Sequence, residues 1–194
     1  ANISAMDRRL FCDEPASRTG QDAPKGPGGD AVPEVCRIDF RVGVITEAVR
    51  LPDSDSLYLE KINVGEAEPR QVISGLAGKI ELDQLQDRRC VVVCNLKPAK
   101  MRGVKSTAML LAASGADGEV ELVDPPHAEL PGTTINVDSL PPAAVDGTVN
   151  KKVWGRVVAE LRTDDECHAT FDGKKLVTAS GPCTVSSLKN APIS

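Results

Sequence analysis

Apolar residues alternate with polar or small ones from Ile38 to Val44: Ile38, Phe40, Val42 and Val44 against Asp39, Arg41 and Gly43. A period of two is that of a strand with one buried face. The alternation breaks at Val44-Ile45, beside Gly43. That break predicts a bulge, where a long strand bends from one sheet into another. Pro52-Asp53-Ser54-Asp55 predicts a turn. Leu57–Val64 predicts a second strand ended by Gly65, and Gln71–Ser74 a third. Ile80, Leu82 and Leu85 suit a short helix. Cys90–Leu96 and Thr107–Ala113 predict the fourth and fifth strands. The pattern implies an all-β barrel or sandwich, and bending of the first strand is what closing a small barrel requires.

Beyond the fifth strand, Glu119–Val123 and Thr133–Val137 read as short strands on either side of a loop bracketed by Pro125-Pro126 and Pro131-Gly132. Pro141–Gly147 breaks the pattern. Val153, Trp154, Val157, Val158 and Leu161 then mark one apolar face of a helix. Trp154, the sole Trp, is expected to anchor that helix to the barrel. His168–Phe171 and Lys175–Thr178 flank Asp172-Gly173, a hairpin signal, and Cys183–Leu188 suits a last strand. At the other end, Ile3, Met6 and Leu10 have helical spacing with Ser4 as a cap, and Pro15–Pro33 has the composition of a flexible linker. The division expected is a tail over 1–35, a barrel over 36–140 and an extension over 141–194.

Aromatic residues make up 3% of the 194 residues, so the core is expected to be aliphatic. No apolar run approaches the roughly 20 residues of a membrane span. Neither is there an N-terminal stretch of the kind a secretory signal needs. The chain begins at Ala1, which leaves a free-standing protein and a piece of a larger one equally open. Cys12, Cys36, Cys90, Cys94, Cys167 and Cys183 form no C-x-x-C pair and are expected to be reduced, in a cytosolic protein. Cys167-His168 lacks zinc-ligand spacing, so no metal site is expected. Asp53 with Asp55, and Asp164-Asp165-Glu166, read as turn and solvated carboxylates. No G-x-S-x-G, H-E-x-x-H or Walker A motif is present, and no catalytic residue or cofactor is assigned.

The net charge is −5, yet Lys97, Lys100, Arg102 and Lys105 fall within nine residues that contain no acid. Pro98 and Gly103 make this a loop between two buried strands. Cations on a fixed frame bind phosphate. Asn95 and Ser106 can hydrogen-bond phosphate, sugar or base edges, and Met101 offers flexible apolar surface. Tyr58, the sole Tyr, could stack on a base, but with so few aromatics stacking cannot dominate. A structured RNA, read by backbone and 2′-hydroxyls, fits better than a single strand.

The run Asn-Leu-Lys-Pro-Ala-Lys-Met-Arg-Gly-Val at 95–104, followed by Ser106-x-Ala108-Met109, resembles the tRNA-binding domain of the endothelial-monocyte-activating polypeptide II family. The resemblance covers roughly residues 36 to 194. It implies an OB-fold, a five-stranded barrel, with the C-terminal extension packed on the surface that bacterial relatives use to dimerise, hence a monomer. It implies structure-selective, sequence-tolerant tRNA binding through Asn95, Lys97, Lys100, Met101, Arg102, Lys105 and Ser106. The module would act in cis or in trans for a tyrosyl- or methionyl-tRNA synthetase, without a cofactor or a membrane. The alternatives are a scaffold in a multi-synthetase complex and a cytokine-like fragment. The second is suggested by Arg41-Val42-Gly43-Val44-Ile45-Thr46, which resembles a motif tied to cytokine activity in animal members.

Overall fold

A long strand, β1 (Phe40–Arg50), is shared between two pairings. Its first half pairs with β4 (Arg89–Val93), from Phe40↔Val93 to Val44↔Arg89. Its second half pairs with β2 (Tyr58–Asn63), from Val44↔Asn63 to Arg50↔Tyr58. The register shifts between Ile45 and Glu47, beside the position where the broken alternation predicts a bulge. Gly43 sits at the bend, where a Cβ would lie 2.6 Å from Val92 Cγ2 and 2.8 Å from Ile62 Cγ2. Only glycine lets the flanking strands approach this closely. The structure, a computed structural model, describes residues 32–194 apart from Asp53. The expected N-terminal helix, Cys12 and most of the Pro15–Pro33 linker lie outside the described residues.

β3 (Arg70–Ser74) pairs with β2, and two short strands, β5 (Ala99–Met101) and β6 (Val104–Ser106), precede β7 (Met109–Leu110) on β4. The sheet order is β3-β2-β1-β4-β7. Thr107 N–H donates to the Gln71 carbonyl at 2.8 Å, which brings the far edge back against β3 and closes the OB-fold barrel. The fifth strand expected over Thr107–Ala113 is broken in two. β7 stays on β4, whereas β8 (Ala112–Ser114) turns away to pair with β9 (Val120–Leu122). The short helix expected around Ile80–Leu85 reduces to one 3-10 turn at Leu82–Gln84, with Ile80 and Leu85 buried beside it.

β4 explains the unbroken valine run. Cys90 and Val92 face the barrel interior with Ile45, Ile62 and Val72, while Val91 and Val93 face a second cluster with Phe40 and Val42. A strand covered on both sides reads as continuous apolar sequence. The cover of the outer face is the extension: β10 (Asn136–Val137), α1 (Lys151–Ala159), β11 (Leu161–Thr163), β12 (Ala169–Phe171), β13 (Lys174–Thr178) and β14 (Gly181–Pro182). Its sheet runs β10-β13-β12-β11, with β14 on β13. Because β10 precedes residue 140 and pairs with β13, this sheet straddles the boundary expected at 140/141.

Asn150 starts α1, its Oδ1 accepting the N–H groups of Lys152 and Val153, both at 3.0 Å. Val153 and Val157 are buried, and Trp154 and Val158 pack partly buried on the same cluster, as the periodicity predicts. The helix stops at Ala159, so Leu161 is buried from β11 rather than from the helix. Asp172 and Gly173 have φ of 48° and 73°, the turn that a two-residue hairpin needs. Cys183–Leu188 is not a strand. Cys183 bonds Leu176 and Ala169, Thr184 bonds Asp124, and Val185 bonds Cys167, so the partner changes at each residue and no ladder forms. The final residues tie barrel to extension: Ala112 and Ser194 exchange N–H···O bonds of 3.0 and 2.9 Å, and Ile193 N–H donates to Leu161 at 3.0 Å.

Among the described residues, Cys36, Cys90, Cys94, Cys167 and Cys183 are free thiols, and burial pushes Cys94 and Cys183 up to about 12. No helix among the described residues is long and apolar enough to cross a membrane.

One buried group conflicts with its surroundings. Glu60 on β2 is 0% exposed; its Oε1 accepts from Ser74 Oγ at 2.7 Å and its Oε2 has no partner. Burial raises its pKa from 4.5 to about 7, against the opposing pull of the Ser74 hydrogen bond. Between those two values the folded protein keeps a proton that the unfolded chain releases. This contribution to stability is full below pH 4.5 and is lost as pH rises through about 7. Urea titrations should show wild type losing about 3 kcal/mol on this account across that range. Glu60→Gln should flatten the slope, and a variant with the wild-type slope would contradict the assignment.

Candidate nucleic-acid interface

The basic stretch is a hairpin, not the irregular loop that Pro98 and Gly103 suggest. β5 and β6 pair antiparallel with Ala99↔Ser106, Lys100↔Lys105 and Met101↔Val104. Arg102 and Gly103 form the turn with φ of 50° and 81°. Both central residues of such a turn need positive φ, which a glycine or asparagine adopts more readily than an arginine. Holding Arg102 there costs about 1–2 kcal/mol. Lys100 and Lys105 stand directly opposite each other, and like charges so placed repel. Lys97, Lys100, Arg102 and Lys105 are all exposed, and none of them pairs with an acid among the described residues. Strain and repulsion are thus concentrated where four cations lack an acid partner among the described residues.

The hairpin's base is fixed by β3. The Arg70 guanidinium donates to the carbonyls of Cys94 and Thr107, the residues that enter and leave the hairpin segment. The Gln71 amide donates to the Lys105 carbonyl at 2.8 Å. Arg70 is itself held by Glu66, whose other neighbour is Arg41, and Arg41 is paired with Asp39. The hydrogen bond from Arg70 holds the Glu66 carboxyl below its ordinary range. These acids therefore neutralise the arginines at the base and leave the cations at the tip unmatched.

Two residues assigned to binding by sequence are spent on this frame. Asn95 Oδ1 accepts the Asp39 N–H at 2.9 Å, and its amide donates to the carbonyls of Arg37 at 2.8 Å and Gly147 at 3.1 Å. Ser106 is buried, accepting the Ile73 N–H at 3.1 Å and donating to Ala108 at 2.9 Å. Lys97, Lys100, Met101, Arg102 and Lys105 all stay exposed: Lys100 and Lys105 stand opposite each other, while Met101 pairs with Val104 and lines a hollow with Lys97. Met101 is 40% exposed, a large apolar side chain left in water among the cations. Tyr58 is no stacking platform: it is buried, and its hydroxyl donates to the Ile80 carbonyl at 3.0 Å. Arg70 and Gln71 escape sequence reasoning because nothing local connects them to a segment more than 20 residues away.

Two other features lie apart. Residues 41–46 lie in β1, with Val42 and Ile45 fully buried in the core and Val44 half-buried. Asp164, Glu166 and His168 offer ligand atoms within 4.8 Å of one another. Asp164 Oδ1 already accepts the N–H groups of Glu166 and His168, which makes it a turn-closing residue.

A family model described as a putative tRNA binding domain matches residues 40–134. The aminoacyl tRNA synthase complex-interacting multifunctional protein 1 of Cricetulus griseus is 43% identical, over 86% of this chain and 47% of that protein. The cytoplasmic methionine–tRNA ligase of Arabidopsis thaliana is 41% identical, over 92% of this chain and 23% of the ligase. The chain thus spans about half or less of the length of these curated relatives. Among solved structures, the C-terminal domain of Plasmodium vivax p43 matches with a TM-score of 0.78 at 29% identity, covering 84% of this chain and all of that one.

The frame makes a prediction independent of any ligand. Arg70→Met removes the clamp on both legs of the hairpin while keeping the apolar stem. Hydrogen bonds to charged groups are worth about 1.5–3 kcal/mol. Exchange protection of the Thr107 and Ile73 amides should therefore fall at least about tenfold, and unchanged protection would show that the hairpin is held by other means.

Proposed function

The barrel over residues 40–134 belongs to the putative tRNA-binding-domain family, and from this premise we propose that the chain is a structure-selective, sequence-tolerant tRNA-binding module. It serves an aminoacyl-tRNA synthetase of methionyl or tyrosyl type, in cis or in trans. The observation that carries the reading is the tip of the hairpin, where Lys97, Lys100, Arg102 and Lys105 are exposed and unmatched by acids among the described residues. Phosphate contacts position a protein on nucleic acid without reading sequence, which suits a partner recognised by shape. In this reading the chain binds and performs no chemistry on the RNA. It raises the local concentration of tRNA near a synthetase's catalytic domain. The likeness to a protein described as interacting with the synthase complex, and to a ligase described as cytoplasmic, supports a cytoplasmic setting and a synthetase partner.

The division into a barrel over 36–140 and an extension over 141–194 belongs to the same proposal. The extension covers Val91, Val93 and Phe40 on the barrel's outer face. A second copy of the chain then has no apolar face to occupy there, and the module works as a monomer.

Filter binding with total tRNA, against a DNA duplex of equal length, tests the reading. One phosphate neutralised by each of four cations gives a log–log salt slope of about −3 to −4. Lys100→Ala with Arg102→Ala should weaken binding to all tRNAs alike and flatten the slope by about 2. A wild-type slope near zero, or a folded double variant that binds like wild type, would defeat it.

A further inference from the structure

Beneath the hairpin lies a cavity of about 180 Å³. Ile73, Leu96, Ala99, Met101, Ala108 and Met109 line it, with Lys97 at its edge. We propose that this cavity receives one unstacked base of a bound RNA while the hairpin cations hold its flanking phosphates. The inference rests on the tRNA-binding reading and adds a subsite to it.

Size and polarity narrow the occupant. The volume is below the roughly 300 Å³ at which pockets for drug-sized ligands begin, so the cavity suits a single flat ring system. Its one buried hydroxyl, Ser106, is occupied on both sides by Ile73 N–H and the Ala108 carbonyl. The occupant is therefore recognised by its apolar faces and not by its hydrogen-bonding edge. Every nucleobase has such faces, so the subsite tolerates any sequence.

Charge decides between a base and an apolar side chain of a protein partner. Lys97 and Met101, both exposed, line the cavity, and Lys100, Arg102 and Lys105 belong to the same short hairpin segment. A base carries phosphates on both sides of its ribose, at the distance of one nucleotide, and the cations meet them. A leucine or phenylalanine of a partner would leave those cations unmatched. The protein also lacks the aromatic platform by which OB-folds usually hold bases, since Tyr58 is buried. Two methionines fill that role here: thioether side chains adapt to flat, irregular shapes and make favourable contacts with aromatic rings. Structured RNAs supply the ligand at loops and ends, where bases can be splayed out.

Ala99 is exposed on β5, so Ala99→Phe places a ring in the cavity without disturbing the core. The variant should bind tRNA about tenfold more weakly, near the lower end of a per-base stacking contribution, with the wild-type salt slope. Its affinity for a blunt, fully paired RNA duplex should be unchanged. In wild type labelled at the methionine methyls, millimolar AMP should shift the Met101 and Met109 signals while ribose 5-phosphate leaves them in place, and Ala99→Phe should abolish the AMP shift. Wild-type tRNA affinity in the variant overturns the subsite and leaves the tRNA-binding reading standing. Equal loss for tRNA and duplex overturns it too, because a distorted hairpin would do the same. Methyl shifts with N-acetyl-leucine amide and none with AMP would assign the cavity to a protein side chain. Failure of wild type to bind tRNA at all would instead remove the reading on which the subsite rests.

Discussion

Burial of one strand pair on both faces is the constraint from which the other features follow. β1 and β4 send Ile45, Cys90 and Val92 into the barrel, and Phe40, Val42, Val91 and Val93 out of it. Each such side chain contributes about 1.5–3 kcal/mol when withdrawn from water, so an uncovered outer face would forfeit several times that. The extension covers it with Val153 and Val157 of α1, Leu161, Leu176 and Ile193. Barrel and extension pack together, and Val32–Ser194 is a single compact body. The hairpin leaves this pair directly: Cys94 and Asn95 follow β4, and Asn95 is bound to Arg37, Asp39 and Gly147 at once. The base of the hairpin is thus anchored to the most deeply buried part of the molecule.

At that tip local stability runs against placement. Opposed lysines and an arginine at positive φ are each unfavourable in a free hairpin. The strand pair is three residues long on each side, too short to stand alone in water. β3 makes up the difference through Arg70, Gln71 and the Ile73 N–H. Arg70 shapes the tip without lying at it: Glu66 neutralises it, and it holds two carbonyls that bracket the cations.

Much of this was legible in the sequence where the signal is local. Alternation located β1 and its bend, Asp172-Gly173 located a hairpin, and the charge run located the tip. Pattern reached an all-β barrel or sandwich, because short strands and their turns lie close together in the chain, and the family resemblance made it an OB barrel. What stayed hidden depends on partners far away. Asn95 and Ser106 have the chemistry of RNA contacts, and only the fold shows that Asp39 and Ile73 have already claimed them. Tyr58 has the chemistry of a stacking platform, but it is buried with its hydroxyl on the Ile80 carbonyl. Cys183–Leu188 has strand composition, yet its neighbours at successive residues belong to different elements. Pattern reports which face is buried and not which atoms meet there.

Barrel and extension meet in one cluster on the outer face of β1 and β4, and the chain carries its own reporter of it. Trp154, the sole Trp, sits on α1 in the extension, whereas far-UV circular dichroism is dominated by the strands. Urea unfolding followed by both signals tests whether the two parts come apart together. The shared outer cluster predicts coincident transitions with a single midpoint. A fluorescence transition completed at lower urea, while the strand signal is still native, would show that the extension is a separable cover, and the account of the two-faced sheet would be wrong.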